Sequence, residues 1–136
     1  YKANTDSDGL ATLRTTLTGA PDSYTLFARF DGDDGHEASS DTADFRILKE
    51  DVRMRVRRSK RAITARLSDL DDDRSRVAGA SVRFVLAGKS LGSRKTNGKG
   101  IARISIPQKL RDRHGTVRAV FKGDAYYRRT AQRIRA

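Results

Sequence analysis

One nine-residue stretch occurs twice, and it constrains this chain more than any other feature. Thr116-Val117-Arg118-Ala119-Val120-Phe121-Lys122-Gly123-Asp124 follows Thr25-Leu26-Phe27-Ala28-Arg29-Phe30-Asp31-Gly32-Asp33 at an offset of 91 residues. Apolar residues alternate in both copies: Val117, Ala119 and Phe121 in one, Leu26, Ala28 and Phe30 in the other. A period of two is what a half-buried strand requires, and Gly-Asp then ends each run with turn chemistry. The offset holds upstream without a gap, aligning Thr5 with Thr96, Gly9 with Gly100 and Ala11 with Ala102. The matched positions are turn glycines and inward residues; outward positions differ, as Arg14 against Ser105 and Phe27 against Arg118. A 91-residue period exceeds the roughly 20–50 residues of solenoid units. It suits a whole β-sandwich domain of about 100 residues.

The repeat sets the expected domain organisation. Residues 50–136 read as one complete domain, and residues 1–49 as the C-terminal half of another. Counterparts of Val52–Leu86 would lie before Tyr1. A half-domain of a few strands cannot bury an adequate core by itself. Leu10, Leu13, Leu26, Phe30 and Phe45 are therefore expected to form an apolar assembly face that needs an opposing sheet. That sheet could come from a longer parent chain, trimmed or not, or from another molecule by strand addition.

The pattern predicts an all-β chain. In the first half, strands are expected at Lys2–Thr5, around Ala11–Leu17, at Tyr24–Phe30 and at Ala43–Ile47, with a hairpin turn at Asp6-Ser7-Asp8-Gly9 and a polar loop over Asp31–Ser40. In the second, strands are centred on Val52-Met54-Val56, Ile63-Ala65-Leu67, Val82-Phe84-Leu86, Ser90–Lys95, Ala102-Ile104-Ile106, Val117-Ala119-Phe121 and a last run through Ile134. Asp69–Arg76 reads as a charged loop, Gly88-Lys89 as a turn, and Asn97-Gly98-Lys99-Gly100 as a hairpin turn equivalent to Asp6–Gly9. Leu48-Lys49-Glu50 has neither Gly nor Pro and is expected to be a stiff junction. Seven short strands separated by turns point to an antiparallel sandwich.

Composition bounds the rest. The chain has 136 residues and no cysteine, which excludes disulfides and thiolate metal sites. No apolar run reaches the roughly 18 residues of a membrane helix, so membrane insertion is not expected. No signal peptide opens the sequence. Net charge is +12, but residues 1–50 carry 5 basic and 10 acidic side chains whereas residues 51–136 carry 24 and 7. Such asymmetry bears on partners and assembly, not on fold.

Two segments resemble a known family. Thr-Asp-Ser-Asp-Gly-Leu-Ala-Thr-Leu (5–13) with Tyr-Thr-Leu-Phe-Ala-Arg-Phe-Asp-Gly-Asp (24–33), and the second copy from Gly88 to Ile104 with Phe121-Lys-Gly-Asp-Ala-Tyr-Tyr127, are similar to the bacterial immunoglobulin-like repeats of surface and secreted proteins. The resemblance implies an immunoglobulin-like antiparallel β-sandwich in tandem repeats. It implies an extracellular or cell-surface location and a noncatalytic role as spacer, adhesion or assembly module, with other copies or chains of a larger assembly as partners. It also matches Tyr24 to the family's tyrosine near the start of the sixth strand; Gly115 stands at that place in the second copy.

Candidate sites are few. Arg53, Arg55 and Arg57 share one face of the first strand of the second half. If the first, second and fifth strands form one sheet, as the resemblance implies, Arg66 and Arg103 join them. A guanidinium fork binds carboxylate or phosphate bidentately, so this face could take an anionic polymer: a cell-wall polymer, an acidic polysaccharide or nucleic acid. The alternative is a solvated exterior that keeps the module soluble. Nucleic acid is disfavoured because stacking aromatics are scarce. Asp6-Ser7-Asp8-Gly9, Asp31–Asp34 and Asp71-Asp72-Asp73 are oxygen-rich, but the first two have basic or neutral counterparts in the other copy, which suggests turn residues and not calcium ligands. His36 and His114 fall in non-equivalent loops with no nucleophile or carboxylate at catalytic spacing. No cofactor and no enzymatic activity are expected.

Overall fold

A computed structural model describes residues 1–71 and 75–135. Its contacts divide the chain into two units, Tyr1–Ile47 and Leu48–Ala136. Among the described residues all regular structure is β apart from one 3-10 turn at Gln108–Leu110.

Among its described residues the second unit has seven strands. β3 (Val52–Arg58), β4 (Ala62–Asp69) and β7 (Ile101–Ser105) form one antiparallel sheet in the order β3-β4-β7. β5 (Ser81–Leu86), β6 (Lys89–Lys95), β8 (Thr116–Phe121) and β9 (Thr130–Arg135) form the other, in the order β6-β5-β8-β9. Each alternating apolar set points into one shared core. Met54, Val56, Ile63, Leu67 and Ile104 face Val82, Phe84, Leu86, Val117 and Phe121 across it. This is a two-layer antiparallel architecture, and the period-two pattern dictates it, because successive side chains leave a strand on opposite faces. Thr96 closes one end: its buried hydroxyl donates to the Val77 carbonyl (2.6 Å) and accepts from the Ala80 N–H (2.9 Å).

The turns follow their sequences. β5 and β6 join through Ala87-Gly88, both at positive φ (46° and 80°), as a two-residue hairpin turn with primed geometry demands. The turn therefore begins one residue earlier than the expected Gly88-Lys89. Asn97 Oδ1 accepts the N–H groups of Lys99 (3.0 Å) and Ile101 (3.1 Å), which pins the β6–β7 turn.

The first unit contains β1 (Ser23–Phe30) and β2 (Ser39–Arg46), one antiparallel pair. β2 starts inside the polar stretch expected to be loop, because the hairpin register carries pairing down to Phe30↔Ser39. The strands expected at Lys2–Thr5 and Ala11–Leu17 do not form; a single Thr5↔Ala11 bridge marks their place. A strand satisfies its backbone only through a ladder with a neighbour, and these segments have none beyond the turn.

The turn between them nevertheless matches its counterpart 91 residues on. Asp6 Oδ1 accepts the N–H groups of Asp8 (2.9 Å) and Leu10 (3.0 Å), as Asn97 does for Lys99 and Ile101. Gly9 and Gly100 share left-handed φ values of 79° and 68°. The β1–β2 and β8–β9 hairpins correspond in the same way. Phe30 pairs with Ser39 and Phe121 with Thr130; the N–H of Asp33 reaches the His36 carbonyl at 3.0 Å, and that of Asp124 the Tyr127 carbonyl at 3.0 Å.

Burial does not correspond. Leu13, Leu26 and Phe30 are 50%, 59% and 43% exposed, whereas their counterparts Ile104, Val117 and Phe121 are 3%, 0% and 2% exposed. Similar local geometry stands in two different environments.

Candidate binding surfaces

The three-stranded sheet gathers the arginines that alternation singled out. Cross-strand register sets Arg55 opposite Arg66, Arg57 opposite Thr64, and Thr64 opposite Arg103. Arg53 lies opposite Ser68 at the end of the ladder. All five occupy the outer side of the sheet, since their neighbours Val52, Met54, Val56, Ala65, Leu67, Ala102 and Ile104 are core. Arg55, Arg57, Arg66 and Arg103 are exposed and Arg53 is half-buried. Arg55 against Arg66 is a like-charge pair directly across the ladder, an arrangement that costs stability. Arg53 and Arg55 have partners within the chain. Arg58, at the end of β3, is spent on structure: its guanidinium donates to the carbonyls of Arg111 and Arg113, each at 3.0 Å.

The five residues expected to form the assembly face are split. Leu26, Phe30 and Phe45 share one side of the β1–β2 sheet, where Leu26 opposes Ala43 and Tyr24 opposes Phe45. Tyr24 stacks on Phe45 with ring centroids 5.6 Å apart, and its hydroxyl donates to the Ala20 carbonyl at 2.6 Å. Leu10 and Leu13 are exposed but lie in the irregular segment, off the sheet.

The acidic turns use their carboxylates internally. Asp6 holds its own turn, as described above. Asp33 Oδ1 accepts the Gly35 N–H (2.9 Å) and meets His36 Nδ1 at 2.8 Å; the Gly35 bond first, then His36, lowers the Asp33 pKa from its ordinary value. Asp72 and Asp73 of the third acidic run lie outside the described residues. Among the described residues no three His, Asp or Glu side chains converge in a way that could hold a metal ion, and no helix is long and apolar enough to cross a membrane.

One acidic cluster was not singled out by sequence. The backbone of Glu50 bonds both ways with the last turn, its N–H to the Tyr126 carbonyl and its carbonyl to the Arg128 N–H, each at 2.9 Å. This holds the Glu50 carboxyl beside Asp69, and the hydrogen bond between the two carboxyls raises its pKa, with desolvation and the charges of Asp69 and Asp71 adding to the effect. The neighbouring Tyr127 hydroxyl is raised by burial first and then by Glu50. A carboxyl with an elevated folded-state pKa favours folding below the ordinary glutamate value, and that contribution is lost as pH rises through the elevated value. Glu50→Gln supplies the shared proton permanently. Its melting temperature should exceed the parent's near neutral pH, and the difference should shrink toward zero below about pH 4. A difference independent of pH would remove the proton-sharing account.

The second basic surface was also missed. Register places Arg83 opposite Val120, and Val120 opposite Ala131; it sets Val85 opposite Arg118, and Arg118 opposite Arg133. Thr116 opposes Arg135, and Ser81 opposes Lys95. Along the β5–β6 margin lies a groove of about 580 Å³, lined by Ser81, Arg83, Ser90, Ser93, Val120 and Lys122 among others. A β-bulge shapes it. Phe84 pairs with Gly92 but Val85 with Ser90, so Leu91 is the extra residue. Ser90 and Ser93 are three apart, which plain alternation would send to opposite faces; the bulge brings both to the groove.

No protein-family model, curated protein or solved structure matches this chain.

Proposed function

We propose that the chain is a noncatalytic stretch of tandem immunoglobulin-like modules, acting outside the cell as a spacer, adhesion or assembly element. One observation carries this reading: hairpins and turns with the same bonds stand 91 residues apart, yet the residues buried in the second copy are bare in the first. Two further features support it. The three-plus-four division of sheets and Greek-key-like ordering are those of immunoglobulin-like sandwiches. The Tyr24 hydroxyl bonds a carbonyl four residues upstream, as the tyrosine corner of such domains does. Function then rests on rigid display of a folded module, with charge asymmetry between units guiding contacts with other copies or chains.

The first unit is the closing half of a module in which strands resembling β3 and β4 make the opposite sheet and a strand resembling β5 extends the β1–β2 sheet. A chimera tests this directly. Residues 51–95, joined to residues 5–49 in the register that aligns Thr5 with Thr96, should fold as a monomer with one cooperative melting transition. Slow amide exchange should extend across Leu26–Phe30, whereas residues 1–49 alone should show neither property. A chimera without a cooperative transition would sink the half-module reading.

A second reading has its own observation. The outer face of β3-β4-β7 brings Arg55, Arg57, Arg66 and Arg103 together, an arrangement suited to an anionic polymer.

A further inference from the structure

The opposite sheet offers the stronger surface. The outer face of β6-β5-β8-β9 carries Arg83, Lys95, Arg118, Lys122, Arg133 and Arg135. Arg118 is half-buried and the other five are exposed. Among the described residues none of the six makes an ion pair. No outward position of the four strands is acidic; Asp124 sits at the groove's rim, its Oδ1 held by the N–H groups of Tyr126 (2.9 Å) and Tyr127 (2.8 Å). A face made only for solubility mixes both signs of charge. This one instead sets Arg118 directly opposite Arg133, a repulsion that a bound polyanion relieves.

The chemistry narrows the ligand. Ser81, Ser90 and Ser93 line the groove beside Arg83 and Lys122, so hydroxyl donors and acceptors alternate with cations. Arg118 and Arg133 stand directly opposite each other, about 5 Å apart at their Cβ atoms, comparable to one sugar residue; Arg83, on the next strand, faces Val120 and so lies diagonally from Arg118, about 7–8 Å away. No aromatic side chain faces outward from these strands, so nothing here stacks a nucleobase. Guanidinium forks match carboxylates bidentately. We propose that this face binds an extended carboxylate-bearing polysaccharide, lying across the strands with its carboxylates on Arg83, Arg118 and Arg133 and its hydroxyls on the serines of the groove. The surface belongs to the second unit alone, so the proposal stands or falls independently of how the first unit is completed.

Polygalacturonate is the probe, with its methyl-esterified neutral form, polyphosphate and a single-stranded oligonucleotide as comparators. The chain should bind polygalacturonate in a salt-dependent manner and ignore the neutral ester. The triple variant R83S/R118S/R133S should bind about tenfold more weakly or worse. A charge-matched triple away from the face, K60S/K99S/K109S, should change binding less than about twofold, as should R55S/R66S/R103S on the other sheet. Amide shifts on titrating the parent chain should cluster at Ser81–Val85, Ser90–Lys95, Thr116–Lys122 and Thr130–Arg135, which keeps the test valid if a variant misfolds. Equal weakening by the charge-matched triple, shifts on β3-β4-β7 instead, or binding of polyphosphate or oligonucleotide without polygalacturonate would overturn the proposal.

Discussion

Phe121→Ala is expected to cost the second unit about 3–5 kcal/mol, while the same change at its counterpart Phe30 costs under about 1 kcal/mol. Both phenylalanines end a strand of the same hairpin register, Phe121 opposite Thr130 and Phe30 opposite Ser39. Phe121 belongs to the core cluster with Val82, Phe84 and Val117, so its truncation loses buried apolar area and leaves a cavity that close packing cannot fill. Phe30 is 43% exposed, and much of its ring is already in water. Denaturant midpoints for the two variants, at unchanged slope, measure both costs. A comparable loss at Phe30 would mean that its face is covered in solution, and would identify the residue as part of a real interface.

Gly100→Ala is the second large effect, again with a twin as its control. Gly100 has φ +68°, and a Cβ there would lie 2.3 Å from the Leu67 carbonyl oxygen and 3.3 Å from the Arg76 Cβ. That carbonyl is part of the β4 backbone, and the Gly100 carbonyl in turn accepts the Leu67 N–H at 2.8 Å. Neither partner can retreat without breaking the ladder. The left-handed conformation costs about 1–2 kcal/mol for an alanine, and the overlap adds about 1–3 kcal/mol. Gly9 has φ +79° but nothing within 4 Å of its Cβ position, so Gly9→Ala should show the conformational cost alone. Thermal melts of the two variants separate the terms. Equal effects would mean that the close approach to β4 is not maintained in solution.

These twin experiments show where local pattern stops being informative. Phe30 and Phe121, or Gly9 and Gly100, sit in nearly the same sequence setting and adopt nearly the same backbone. Their surroundings differ, and with them the expected energetic weights, because burial depends on what the rest of the chain lays over them. The same cause explains the missing strands at Lys2–Thr5 and Ala11–Leu17. The alternation is present, but a strand needs a bonded neighbour. In the second unit Ile101–Ser105 finds β4; its counterpart in the first unit has no such partner. Arg53, Arg55, Arg57, Arg66 and Arg103 were legible because simple alternation plus an expected sheet order places them together. The groove face was not, because it depends on four strands spread from Ser81 to Arg135 and on a bulge at Leu91 that reverses the alternation rule for Ser90 and Ser93.

What the amino-acid order determined by itself was local: the period of two, the turn glycines at 9, 32, 100 and 123, and the 91-residue echo between the copies. Each follows from sterics and alternation within a few residues of chain. Tertiary structure alone decided which copies of the inward residues are sheltered from water, which carboxyls stand beside each other, and which cations do. Those properties belong to pairs of distant residues, and only the meeting of strands in space creates the pairs.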